Sequence, residues 1–147
     1  MKLSPDHHLA YCTNIHPAET WAETLHVLKN DVVAVRDRVS PDKPFAIGLR
    51  LSAQAAGELL EENHLDEFQT WLESENCYIF TINGFPYGAF HGTRVKEKVY
   101  QPDWTKLARL VYTEQLFTII DRLCPAESGG SVSTLPGSFK EFEADEK

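Results

Sequence analysis

The chain is poor in the features that would place it in a membrane, on a nucleic acid or in a disulfide scaffold. No apolar run reaches the roughly 18 residues of a membrane-spanning helix, and Met1-Lys2-Leu3-Ser4-Pro5-Asp6-His7-His8 lacks the apolar core of a secretory signal. There are only three cysteines, Cys12, Cys77 and Cys124. They are odd in number and far apart, which fits neither a disulfide framework nor a zinc ribbon. Two of them fall in apolar runs, where a thiol behaves as a small hydrophobe. A reduced, cytoplasmic protein is expected. Basic residues are scarce too: 14 Lys and Arg stand against 22 Asp and Glu, a net charge of −8. Phosphate backbones are held by clustered Lys and Arg, so no nucleic-acid partner is expected. The one concentrated basic patch, Arg94, Lys96 and Lys98, suits a single small anion. Gly88 and Gly92 match no phosphate-binding glycine loop. No base lies at motif spacing from a serine, which excludes a Ser-His-Asp hydrolase.

What remains is ordinary globular material. A chain of 147 residues with 42% apolar side chains fits one domain with a real core. Apolar runs at Leu9–His16, Phe45–Leu51, Cys77–Ile82 and Gly130–Leu135 read as strands. Between them lie amphipathic helices. Pro17 fits the first position of the first helix, where its missing N–H costs nothing, and Glu19 suits its first turn. Trp21, Leu25, Leu28, Val32 and Val35 give this helix one apolar face, and Ser40-Pro41 ends it. Ser52 caps a second helix from Ala53 to about Glu62, broken at Asn63-His64 and continued by Leu65, Phe68, Trp71 and Leu72. Asp103 is placed to cap a third, with Leu107, Leu110, Val111, Phe117, Ile120 and Leu123 as its apolar face.

Strands alternating with helices imply right-handed crossovers and a parallel α/β sheet. In such sheets ligands bind beyond the carboxyl ends of the strands. Polar side chains gather at that edge: Asn14 and His16 after the first strand, Arg50 and Ser52 after the second, Thr81 and Asn83 after the third, Ser133 and Thr134 after the fourth. The third strand opens into the chain's most loaded stretch, Asn83-Gly84-Phe85-Pro86-Tyr87-Gly88-Ala89-Phe90-His91-Gly92, with Arg94 just beyond. Glycines and proline force a loop, and its aromatics either stack on a ligand or pin the loop to the core.

Several blocks together carry a family resemblance. They are Tyr11-Cys12-Thr13-Asn14-Ile15-His16-Pro17-Ala18-Glu19-Thr20-Trp21, Gly48-Leu49-Arg50-Leu51-Ser52, Asn83-Gly84-Phe85-Pro86-Tyr87-Gly88 with Phe90-His91-Gly92, Val99-Tyr100 with Pro102-Asp103-Trp104, and Ser133-Thr134-Leu135-Pro136. In this order they resemble the E-type "metabolite traffic" proteins of Ebo gene clusters. That family is similar to the xylose isomerase-like TIM barrels, which include sugar isomerases and epimerases. The resemblance implies a barrel that handles a small polar metabolite. A whole barrel has eight strands and about 250 residues, whereas this chain offers four strands and three main helices. The expected fold is therefore a parallel (βα)n half barrel over residues 1–140, followed by a disordered acidic tail at 141–147.

The residues expected to face a ligand are Asn14, Arg50, Asn83, Phe85, Tyr87, Arg94 and Ser133, with His16 and His91 as acid–base candidates. Each has a bland alternative. Arg50 meets either a protein carboxylate or an anion, and His16 serves either the ligand or the following helix. The resemblance places the metal-binding carboxylates of the isomerases on later strands, and no Asp or Glu closes the four strands here. A divalent metal is expected only with a second half. Open strand edges imply either a truncated product or completion by a partner, a second copy included. Catalysis stays open, with a non-catalytic binding module or an inactive fragment as the alternatives.

Overall fold

A computed structural model describes residues 1–4, 7–89 and 98–142. His91, Arg94 and most of the acidic tail lie outside the described residues. Two short strands, β1 (Lys2–Ser4) and β2 (His7–His8), pair antiparallel at the start. The main sheet follows: β3 (Ala10–Cys12), β4 (Phe45–Arg50), β5 (Cys77–Asn83) and β6 (Ser131–Ser133), in sequential order and all parallel. The helices are α1 (Trp21–Val27), which runs through a π turn at Leu28–Val32 into α2 (Val33–Val39), then α3 (Ala53–Leu59), α4 (His64–Ser74) and α5 (Leu107–Leu123). This is the expected α/β architecture, a parallel strand–helix series compatible with half of a barrel.

β4 shows why the sheet forms. Phe45, Ile47 and Leu49 are fully buried and join Trp21, Leu28, Leu59, Phe68 and Leu116 in one core. Each such side chain contributes about 1.5–3 kcal/mol by leaving water. The intervening Ala46 and Gly48 are small. A side chain at Gly48 would meet Ala10, Cys12 and Thr81, so these four positions share the sheet face turned away from the core. The amino half of that face is covered by the first hairpin, where His8 Nδ1 lies 2.8 Å from the Tyr78 hydroxyl and its ring packs on Phe80. Among the described residues nothing covers the carboxyl half in the same way, and Cys12, Ser131 and Ser133 are exposed.

Two helix starts differ from expectation. The first helix begins at Trp21, not at Pro17, because Thr20 accepts from Glu23 N (3.2 Å) while the Glu23 carboxylate reaches back to Thr20 N (3.1 Å). This reciprocal box satisfies free N–H groups that Pro17 could not. Backbone N–H groups of Glu19 and Thr20 hold the Glu23 carboxyl below its ordinary range. The third helix begins at Leu107, because the Asp103 carboxylate is taken by Thr105 N, Thr105 Oγ1 and Ser138 Oγ. The face of α5 also differs. Arg109, Tyr112, Thr113, Leu116, Ile119, Ile120 and Leu123 are buried, while Leu107, Leu110, Val111 and Phe117 face solvent.

Candidate functional site

The carboxyl edge of the sheet is built by hydrogen bonds that tie its loops together. At the end of β4, Arg50 is only 3% exposed. Its guanidinium donates to the carbonyl of Ala18, to both oxygens of Glu19 (3.1 and 3.4 Å) and to the carbonyl of Gly88 (2.7 Å). Its backbone N–H donates to Thr13 Oγ1 at 2.9 Å. Ser52 donates to the Glu19 carbonyl and accepts from Ala55 N, so one hydroxyl caps α3 and holds the preceding loop. Of the two roles open to Arg50, the structure shows a protein carboxylate in contact. Glu19 belongs to this node and not to a helix turn.

The loop after β5 is held by its own carbonyls. Arg109 Nη1 takes Gly84 O at 2.9 Å, Tyr112 Oη reaches Pro86 O at 3.4 Å, Ala53 N takes Tyr87 O at 2.8 Å, and Arg50 takes Gly88 O. Tyr87 packs edge-on to Tyr112 at 5.1 Å, with the Arg109 guanidinium over both rings. Phe85 packs edge-on to Tyr100 at 5.4 Å. Both loop aromatics are thus half-buried and engaged by protein. Burial lowers the Arg109 pKa and raises that of the Tyr112 hydroxyl, which donates to Leu51 O at 2.6 Å. Among the described residues the buried Arg109 Nη2 has no hydrogen-bond partner. Sequence reading missed Arg109 and Tyr112. Their one signal is a charge and a phenol within a helix that carries apolar residues on every side.

After β3 the chain makes a 3-10 turn, Thr13–Ile15. His16 then sits between the Tyr11 hydroxyl, 2.9 Å from Nε2, and the Asp31 carboxylate, 3.9 Å from Nδ1. Burial, with Asp31 nearby, raises the Tyr11 pKa. An imidazole between a phenol and a carboxylate can carry a proton between them. Among the described residues Asn14 Oδ1 is buried and has no hydrogen-bond partner.

A row of polar groups lies on the face of β5 and β6 turned away from the core. Ser131 Oγ bonds Thr81 Oγ1 at 2.9 Å, and Ser133 Oγ donates to Asn83 Oδ1 at 3.0 Å. Asn83 Oδ1 also accepts from Phe85 N at 3.0 Å. Both lone pairs of that oxygen are therefore used, which fixes the amide orientation and leaves the two Nδ2 hydrogens as donors. Of the expected residues, the structure brings Asn83 and Ser133 into direct contact. Arg50 is engaged by Glu19 and Gly88, Tyr87 by Tyr112, and Phe85 by Tyr100, while Asn14 and His16 belong to the β3 end. Among the described residues no group of three or more His, Cys, Asp or Glu side chains is placed to hold a metal ion. Comparison with protein-family models, with curated proteins and with solved structures finds no match to this chain.

Proposed function

We propose that the chain binds a small, hydroxyl-rich polar metabolite on the face turned away from the core at the carboxyl ends of β5 and β6, as half of a barrel that a second chain completes. The observation that supports this is the Asn83 amide. Its oxygen is saturated by Phe85 N and Ser133 Oγ, so it offers two oriented N–H donors beside the Ser133 and Ser131 hydroxyls. Preset donors next to groups that both donate and accept suit sugar and polyol hydroxyls. The motif resemblance to E-type metabolite traffic proteins points to the same ligand class. In a completed barrel His16 would be the described acid–base group at the ligand edge, and isomerase or epimerase chemistry would use a divalent metal held by the other half.

A second reading, a binding module without chemistry, is favoured by the Arg50–Glu19 pair, which commits a charged side chain of this edge to structure. Calorimetric titration of pentoses, hexoses and their phosphates against the native chain, Asn83→Ala and Ser133→Ala tests the proposal. Binding to the native chain that weakens about tenfold in Asn83→Ala, near 1.4 kcal/mol, with an unchanged melt, supports it. Absence of binding, or binding indifferent to both changes, overturns it. Proton spectra of bound sugar with added magnesium or manganese separate the readings: new sugar signals mark the enzyme, unchanged ones the carrier.

A further inference from the structure

We propose that the metabolite bound beside Asn83 is an acidic sugar, and that its phosphate or carboxylate is taken by the Arg109 guanidinium at the start of α5. The inference rests on the ligand site proposed above and names its substrate class.

Arg109 is a buried cation in need of an anion. It is 0% exposed, and it belongs to none of the ion pairs formed among the described residues. Carboxylates are not scarce in this chain, with 22 Asp and Glu against 14 Lys and Arg. Yet among the described residues none is placed against Arg109. Asp103, six residues earlier, has its carboxylate engaged by Thr105 N, Thr105 Oγ1 and Ser138 Oγ. A guanidinium keeps its charge inside a protein, so its burial without a carboxylate is unfavourable until an anion joins it.

The surroundings of the guanidinium leave one direction for that anion. Tyr87 and Tyr112 lie against the flat cation, with ring centres at 5.6 and 5.5 Å. Nε donates to Pro102 O at 2.8 Å and Nη1 to Gly84 O at 2.9 Å. The planar fork sets Nη2 between these two carbonyls, and among the described residues Nη2 has no acceptor. Gly84 follows Asn83 directly, so the donors of the guanidinium and of the Asn83 amide stand at neighbouring residues.

The start of the helix agrees in charge. α5 has 17 residues, Lys106 at its N-cap, no capping side chain and no acidic residue in its first turn. Among the described residues the N–H groups of Leu107 and Ala108 meet no acceptor. Unmet N–H groups at a helix start favour an anion, and Lys106 adds a second cation. A cleft of about 600 Å³ opens at this turn, lined by Gln101, Pro102, Thr105 and Lys106, with Asp103 and Glu141 as its acidic members. Pro102, whose carbonyl Arg109 holds, is part of that wall, and an anion entering there reaches Nη2 past it. A neutral polyol would satisfy the Asn83 amide and leave the cation uncompensated, whereas a bare anion would do the reverse. A sugar that carries a phosphate or carboxylate meets both.

Calorimetric titration at fixed ionic strength tests the proposal on the native chain, Arg109→Lys and Arg109→Met. The probes are ribose and glucose, their phosphates, their aldonates, and inorganic phosphate. The native chain is expected to bind a sugar phosphate or an aldonate at least about tenfold tighter than the parent sugar. That preference is lost in Arg109→Met and kept in part in Arg109→Lys, and comparison of phosphates with aldonates tells the two anions apart. Where Arg109→Met does not melt cooperatively, amide shifts of the native chain decide: changes on adding inorganic phosphate at Gly84, Leu107 and Ala108 support the site, and changes elsewhere overturn it. Equal binding of neutral and acidic sugars, or a preference that survives in Arg109→Met, overturns this inference and leaves the proposed ligand site standing. Inorganic phosphate held at Arg109 with no sugar bound overturns the ligand reading and supports Arg109 as an anion site alone. No binding of any probe overturns both.

Discussion

Gly84 and Gly88 stand four residues apart in one loop and have opposite requirements. A Cβ at Gly84 would lie 2.3 Å from Leu116 Cδ1 and 3.0 Å from Ser133 O. Leu116 is fully buried and cannot swing away, and Gly84 N already bonds Ser133 O at 2.9 Å. Among the described residues a Cβ at Gly88 would meet nothing within 4 Å. Gly84→Ala is therefore expected to cost about 2–3 kcal/mol by overpacking, while Gly88→Ala stays within about 0.5 kcal/mol of the native chain. Urea unfolding at one fixed protein concentration checks the pair, and equal effects would refute the close approach at Gly84. Because Gly84 follows Asn83, the first change should also disturb the amide that faces the ligand. The same loop shows what a sequence can convey at this scale. Asn83, Phe85 and Tyr87 are conspicuous as groups that stack and hydrogen-bond. Which partner they meet depends on Tyr100, Arg109 and Tyr112, brought from later in the chain. Arg50 was legible as a charge needing a partner, but Glu19, on the loop that a proline had suggested was helix, could be assigned only in three dimensions.

At the level of elements, alternation of apolar strands with amphipathic helices was enough to give the order and parallel sense of the main sheet. Boundaries and faces were less legible, for a physical reason that α5 makes plain. That helix carries two apolar sectors, Leu107, Leu110, Val111 and Phe117 on one side and Leu116, Ile119, Ile120 and Leu123 on the other. A periodicity of 3.6 cannot choose between them, and the choice is made by Arg109 and Tyr112, whose polar ends find buried carbonyls. The start of α1 was misplaced because two signals competed. Pro17 tolerates a first helical position, but the Thr20–Glu23 box satisfies N–H groups outright. Thr20→Ala is accordingly expected to cost about 1 kcal/mol, and Pro17→Ala close to nothing, as read by urea midpoints. A larger loss at Pro17 than at Thr20 would contradict the observed start. The Glu23 share of this cap has a defined pH sense. Its carboxyl titrates below its ordinary range when folded, so its contribution is present at neutral pH and is lost as pH falls through the folded value.

For the molecule as a whole, protection from solvent is graded across the sheet, and the grading bears on how the chain is used. β4 is buried along its entire length and hydrogen-bonded to a strand on each side. β6 is short, mostly exposed, and paired on one side alone among the described residues. Local opening should therefore cost the full unfolding free energy at β4 and much less at β6. Amide hydrogen exchange resolves this residue by residue. The slowest amides are expected in Phe45–Arg50 and in the β5 positions paired with them, with Ser131–Ser133 among the fastest of the main sheet in dilute solution. If a second copy pairs with β6, its amides that point away from β5 gain a partner, and their exchange slows as protein concentration rises. Concentration-dependent slowing confined to β6 would place the association at the sheet edge. Slowing everywhere would mean a change in global stability, and slowing nowhere would mean that the edge is not where chains meet.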